Sequence, residues 1–156
     1  MRRTIMPAPE TQTLHTLRLT RVFQAPRERV WRAWTDPEAL KKWWGPRDFD
    51  CIGAESDLRP GGKYRLTIRQ REKGEVFTAY GEYKEVTPPS RLVFTWRWEQ
   101  WDEAMWETLV TVEFRERGGA AELTLTHERF REKTLRDQHE MGWTWTLDCL
   151  AKHLGG

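Results

Sequence analysis

The chain has 156 residues and a formal net charge of +2, with 38% hydrophobic and 32% charged residues. That length suits one domain, because two would each be short of core, and that balance belongs to a globular chain rather than a disordered one. Acidic and basic residues alternate, as in RERVWR and RQREKGE, instead of gathering into the uncompensated basic stripe that nucleic acid requires.

No apolar run approaches the roughly 18 residues of a membrane span. The opening MRRTIMPAPETQT has no apolar stretch of the kind a secretory leader carries, so a cytoplasmic protein is expected. Cys51 and Cys149 stand far apart and outside any CxxC spacing, which reads as two small semi-buried thiols, with a disulfide left open. Ten tryptophans supply roughly 150–250 Å² of buriable surface each. They suit a core or the walls of a ligand site.

Residues 1–12 read as a flexible tail and residues 13–156 as the single domain. Leu17, Leu19 and Phe23 alternate on one face of a first strand. Pro26 then marks the start of a helix carrying Val30, Trp31 and Trp34 at helical spacing. Asp36-Pro37 breaks it and opens a second short helix through Leu40, Trp43 and Trp44, which Gly45-Pro46 ends. From there the period changes from about 3.6 to 2. Six strands are predicted, the first from Phe49 to Leu58. Tyr64, Leu66 and Ile68 share a face of the second, and the third runs from Val76 to Val86. Leu92, Phe94, Trp96 and Trp98 share a face of the fourth, as do Val110, Val112 and Phe114 in the fifth and Leu123, Leu125 and His127 in the sixth. Gly-rich or Pro-rich turns separate them.

A long helix from Lys133 to Leu154 closes the chain. At 100° per residue, His139, Trp143, Leu147, Leu150 and Leu154 form one stripe. Gly142 interrupts this helix at a cost of about 1 kcal/mol against alanine, and a close approach to the sheet is its expected reason. The whole is an α+β fold of order β-α-α-β-β-β-β-β-β-α, a curved antiparallel sheet around a C-terminal helix. Such a concave, apolar space is where pockets form.

The runs RVFQAPRERVWRAWTDPEALKKWWGP, DLRPGGKYR, GEYKEVTPPSRLVFTW, LTLTHERF and HEMGWTWTLDCLAKHL resemble the START-like, polyketide-cyclase superfamily. The branch they are most similar to is the one named for an activator of a heat-shock chaperone's ATPase. The resemblance extends from about Leu17 to Leu154 and implies a helix-grip fold with a cavity between sheet and C-terminal helix. It implies structural roles for DLRPGG and WWGP and brings no shared catalytic motif. The chaperone activator has a further N-terminal docking domain, whereas about twelve residues precede the matching region here. A chaperone-accessory role is therefore placed behind the others.

The chemistry-bearing residues are few. His15, His127, His139 and His153 form no HExxH or related pair, so no metal site is expected. Ser56 and Ser90 lie outside any GxSxG motif, and the glycine pairs lie in turns without the helix a phosphate cradle needs. No cofactor is predicted. His127 and His139 are the weak candidates for acid or base, provided they meet in space. Tyr64, Phe94, Trp96, Trp98, Val110, Leu125, His127, His139, Trp143 and Leu147 are the predicted ligand-binding residues. Trp101 and Trp106, flanking Asp102-Glu103-Ala104, are a candidate lid, and Trp43 with Trp44 a candidate gate at the other end. A buried Arg21 is expected to pair with one of Asp57, Glu82, Glu85, Glu107 or Glu128. Met141 and Trp145 point away from the Trp143 stripe and are expected under another part of the chain or in a homodimer contact. The favoured function is binding or carriage of a small apolar, aromatic or polyketide-like molecule. An enzyme of cyclase or hydrolase type using the same cavity is the alternative.

Overall fold

The computed structural model describes residues 13–102 and 105–155. The expected tail and the Glu103-Ala104 part of the expected lid lie outside them. Strand β1 (His15–Phe23) is followed by helices α1 (Arg27–Thr35) and α2 (Pro37–Trp43). Asp36 both ends α1 and starts α2, its carboxylate accepting the Glu38 backbone N–H at 3.0 Å, the usual side-chain cap of a helix start. Six strands follow: β2 (Phe49–Ser56), β3 (Lys63–Gln70), β4 (Val76–Thr87), β5 (Arg91–Trp98), β6 (Thr108–Arg117) and β7 (Ala120–Phe130). Helix α3 (Lys133–His153) completes the order that periodicity predicts.

The strands form one antiparallel sheet in the order β1-β7-β6-β5-β4-β3-β2. Successive hairpins build most of it, and β1 returns to pair with β7, with Leu19 opposite Leu125. Gly118 and Gly119 connect β6 to β7 with φ of +57° and +87°, the left-handed pair that a two-residue hairpin turn demands. The DLRPGG segment is a structural device of another kind. Gly62 lies so close to Asp57 that a Cβ would stand 1.9 Å from its carbonyl oxygen. That contact lets Gly61 and Gly62 exchange backbone hydrogen bonds with Tyr83 on β4, each 2.8 Å long. No other residue type fits there.

The concave face of the sheet holds the core. Leu17, Phe23, Val110, Val112, Phe114, Leu123 and Leu125 are essentially inaccessible. They meet Val30 and Trp31 of α1 and Leu147 and Leu150 of α3 in one cluster. Arg21 crosses the edge of this layer with a half-exposed side chain. The burial on which the expected pairing depends is therefore not met, and Arg21 pairs with Asp148 of α3 at 2.6 Å and donates to the Thr144 carbonyl. The reason is geometric: β1 is an edge strand, and α3 is the element that lies along it. Among the described residues, no helix is long and apolar enough to cross a membrane.

Candidate functional site

The two histidines are brought together, with ring centroids 5.3 Å apart. Each is held by an indole. Trp143 Nε1 donates to His127 Nδ1 at 3.0 Å, and Trp98 Nε1 donates to His139 Nε2 at 3.0 Å. An indole nitrogen can only donate, so both accepting nitrogens are unprotonated. The neutral His127 ring then carries its proton on Nε2, directed at Thr108 Oγ1 2.7 Å away, and Thr108 passes its own hydroxyl proton to the Trp96 carbonyl at 3.0 Å. His139 is the opposite tautomer, its Nδ1–H donating to the Leu135 carbonyl at 2.9 Å. Burial pushes His127 well below the ordinary histidine range, with the neighbouring His139 adding to the effect. It lowers His139 as well, against the opposing pull of the Leu135 carbonyl. Every ring nitrogen is committed, and both rings are neutral at pH 7.

Beside this network a cavity of about 160 Å³ opens between α3 and the sheet. Its sheet wall is Ile68, Trp96 and Trp98; Trp44 and Pro46 close one side; Gln138, His139, Gly142, Trp143 and Thr146 of α3 form the other wall. The rings are packed against one another. Trp96 lies 5.3 Å from Trp98 and 5.2 Å from Trp143, and Trp44 lies 5.4 Å from Trp143. Edge-on and tilted contacts of this kind hold aromatic walls in place. The lining carries no ionised side chain.

Four of the ten predicted ligand-binding residues, Trp96, Trp98, His139 and Trp143, line this cavity. Tyr64 and Phe94 instead line a separate space of about 20 Å³ at the other end of the sheet. Tyr64 is tied there, its hydroxyl donating to the Thr95 carbonyl at 2.6 Å. Val110, Leu125 and Leu147 are wholly inaccessible in solid core, because α1 and the C-terminal half of α3 close over β6 and β7. His127 stands behind the wall at 0% exposure. Its two ring nitrogens meet Thr108 and Trp143, and it is not among the residues that line the cavity.

The glycine in the helix is the main correction. Gly142 does not mark a close approach: a Cβ added there meets nothing within 4 Å. It lies on the cavity, and Thr146 Oγ1 donates to its carbonyl at 2.8 Å. Pro46, Gln138, Gly142 and Thr146 line the cavity without any expectation from periodicity, Ile68 lies on the inward face that alternation predicts, and Trp44 is the expected gate residue. The glycine itself was the available signal, since its helical cost had no local cause.

The expected gate and lid have other duties. Trp43 is an anchor, its indole donating to the Ala33 carbonyl at 2.9 Å. Trp44 is a partition, lining both cavities. Arg97 donates to the carbonyls of Trp101, Asp102 and Met105, fixing the loop on either side of residues 103–104. Trp106 is fastened by its indole to the Arg129 carbonyl at 2.9 Å, with the Arg131 guanidinium 3.8 Å over its ring. Trp145 is covered within the chain by Arg47, 4.8 Å above its ring, while Met141 stays 55% exposed. Cys51 and Cys149 are both free thiols.

A curved seven-stranded antiparallel sheet gripping a C-terminal helix, with a cavity between them, defines the START-like, helix-grip class of protein. Within that class the chain belongs to the family described as activator of Hsp90 ATPase homolog 1-like protein, whose model matches residues 24–155. Among solved structures it is similar to a protein from Chromobacterium violaceum at 32% identity. That match has a TM-score of 0.81 and covers 90% of this chain and 97% of that one. A protein from Silicibacter pomeroyi carrying the family's name is 28% identical, with a TM-score of 0.78 over 90% of this chain and 97% of the other. CalU16 from Micromonospora echinospora is 26% identical, with a TM-score of 0.69 over 90% of this chain and 76% of its own. No curated protein matches the chain at a meaningful level.

Proposed function

We propose that the protein binds a small, flat, apolar molecule in the cavity between α3 and the sheet. The observation that carries this reading is the cavity itself: about 160 Å³ walled by four tryptophans in a tight ring packing. Rigid aromatic walls lose little entropy when a ligand arrives and offer it wide contact. Membership of a START-like family supports it. A reaction in the same space would need a side chain free to take or give a proton. The two histidines nearest the cavity have both nitrogens occupied by partners.

The test is a thermal-shift panel of neutral ring compounds on the full chain. A binder at about 100 times its Kd stabilises the fold by about 2.7 kcal/mol, so a saturable rise in Tm is expected. Trp98→Ala, which removes a half-exposed wall, should abolish it. Absence of any saturable rise across the panel would refute the reading.

A further inference from the structure

The two histidines differ in how they meet the cavity. His127 is wholly inaccessible and stands behind the wall, between Thr108 and Trp143. His139 is half-buried and lines the cavity itself, beside the exposed Gln138. An apolar molecule in the cavity lies against it and takes away water that a charged imidazole needs. The ring nitrogens of His139 also have unlike partners. Nδ1–H donates to the Leu135 carbonyl at 2.9 Å, a bond that the charged ring keeps. Nε2 accepts the Trp98 indole N–H at 3.0 Å. A second proton lands on Nε2 and sets N–H against N–H, because an indole nitrogen can only donate. The imidazole then stays on its helix, and Trp98 loses its tether. Trp98 is a half-buried wall of the cavity, so its indole can turn to solvent for another acceptor.

Few other charges bear on this contact. Facing His139 are Trp96 and Trp98 of β5, Trp101 of the loop after it, and His127 and Phe130 of β7. Of these His127 alone titrates, and burial holds it well below the ordinary histidine range. On α3 itself Arg136 is bonded to Asp137 and Glu140, and Lys133 to Asp137. Asp102, Arg129, Arg131 and Glu132 border a separate groove.

We propose that His139 couples occupancy of the cavity to pH: the ligand binds while the imidazole is neutral and accepts from Trp98, and acid releases it by protonating Nε2. This rests on the binding reading above and adds the regulation of that site. Burial sets the folded value of His139 below the ordinary 6.5. Affinity is therefore full above about pH 6.5 and falls as the pH drops through that lower value. With the neutral fraction alone competent to bind, Kd rises by up to about tenfold for each pH unit below it. Linkage makes the effect reciprocal, so a bound molecule lowers the titration point of His139 further.

The test is calorimetric titration of the full chain with acetophenone from about pH 8 downward, with far-UV circular dichroism at each pH to show that the fold persists. Acetophenone is neutral throughout; if it gives no signal, the strongest neutral binder of the thermal-shift panel takes its place. Kd should be level above about pH 6.5 and weaken below it as worked out above. His139→Gln keeps an acceptor for Trp98 and cannot be charged, so its Kd should not vary with pH, whatever its absolute affinity. His127→Gln should keep the pH dependence of the unsubstituted chain. The imidazole NMR signals of His139 in the unsubstituted chain give a readout that needs no variant: they should titrate below 6.5, and lower still at saturation with the probe. A Kd that stays level down to the pH at which the fold is lost, or a His139 titration that the probe does not move, would overturn the proposal. So would a pH dependence that folded His139→Gln retains or that His127→Gln removes. In each of these cases ring binding itself stands. If neither acetophenone nor any panel compound binds at about pH 8, the binding reading fails and this inference with it.

Discussion

Acid should unfold this protein earlier than its surface charges require. His127 and His139 are both held neutral, with folded-state values below the ordinary 6.5. Below that pH the unfolded chain takes up protons that the folded one refuses. Stability is therefore complete above about pH 6.5 and falls as pH drops towards each folded value. Each histidine removes up to about 1.4 kcal/mol per pH unit in this window. Between about pH 7.5 and about pH 5.5, His127 alone should lose roughly 1–2 kcal/mol, with a smaller addition from the less buried His139. The structural cause is specific: a proton on His127 Nδ1 would confront the Trp143 indole N–H, 3.0 Å away, with a second donor. Other groups around His127 do not titrate, being Trp96, Phe130 and Trp143. Urea unfolding followed by tryptophan fluorescence reads the effect. A midpoint shift of roughly 0.5–1 M is expected for an m-value of about 2 kcal/mol/M. His127→Gln, which offers one acceptor and one donor without titrating, should remove the larger part. An unchanged pH dependence in that variant, or an NMR titration of His127 near 6.5, would refute the reasoning.

Two further substitutions separate surface from interior. Asp148→Ala breaks the pair with Arg21, but the side chains are 30% and 51% exposed, so the loss should be under about 1 kcal/mol and should shrink in high salt; chemical denaturation at two salt concentrations measures it. Trp44→Ala removes the partition between the two cavities. It should cost about 3–5 kcal/mol of stability and allow a two-ring compound such as 2-acetylnaphthalene to bind more tightly than it binds the unmodified chain, as calorimetry would show.

The fold was legible because period alone assigns each element. Alternation marks Tyr64, Leu66 and Ile68 as one face of β3, and helical spacing marks His139, Trp143 and Leu147 on α3. The structure places all of these inward. The site was legible only in part, because period reports which face turns inward and not whether that face meets another side chain. Val110 and Leu125 have the same pattern as Trp96, yet they lie under helices and touch no open space. Pairing of donors and acceptors is equally hidden. Nothing in the spacing of Trp98, His127, His139 and Trp143 says that two indoles will use two imidazoles as acceptors. Nor does spacing show that Arg21 will pair with Asp148, on the helix that lies along its edge strand.

Solid core and open cavity are divided along α3. Its C-terminal half carries Leu147 and Leu150, both inaccessible, into solid core with Leu154 just beyond. Its N-terminal and middle turns bring Gln138, His139, Gly142 and Thr146 to the cavity. Buried indoles on both sides need acceptors, and the backbone cannot supply many, since sheet and helix carbonyls are already engaged in their own ladders. Neutral imidazoles supply them for Trp98 and Trp143, fixing two walls of the cavity. The same device makes those walls sensitive to acid. Trp96 also lines the cavity, with its indole N–H buried and without a partner. At Gly142 the helix leaves open space beside these walls, since a Cβ there would meet nothing within 4 Å.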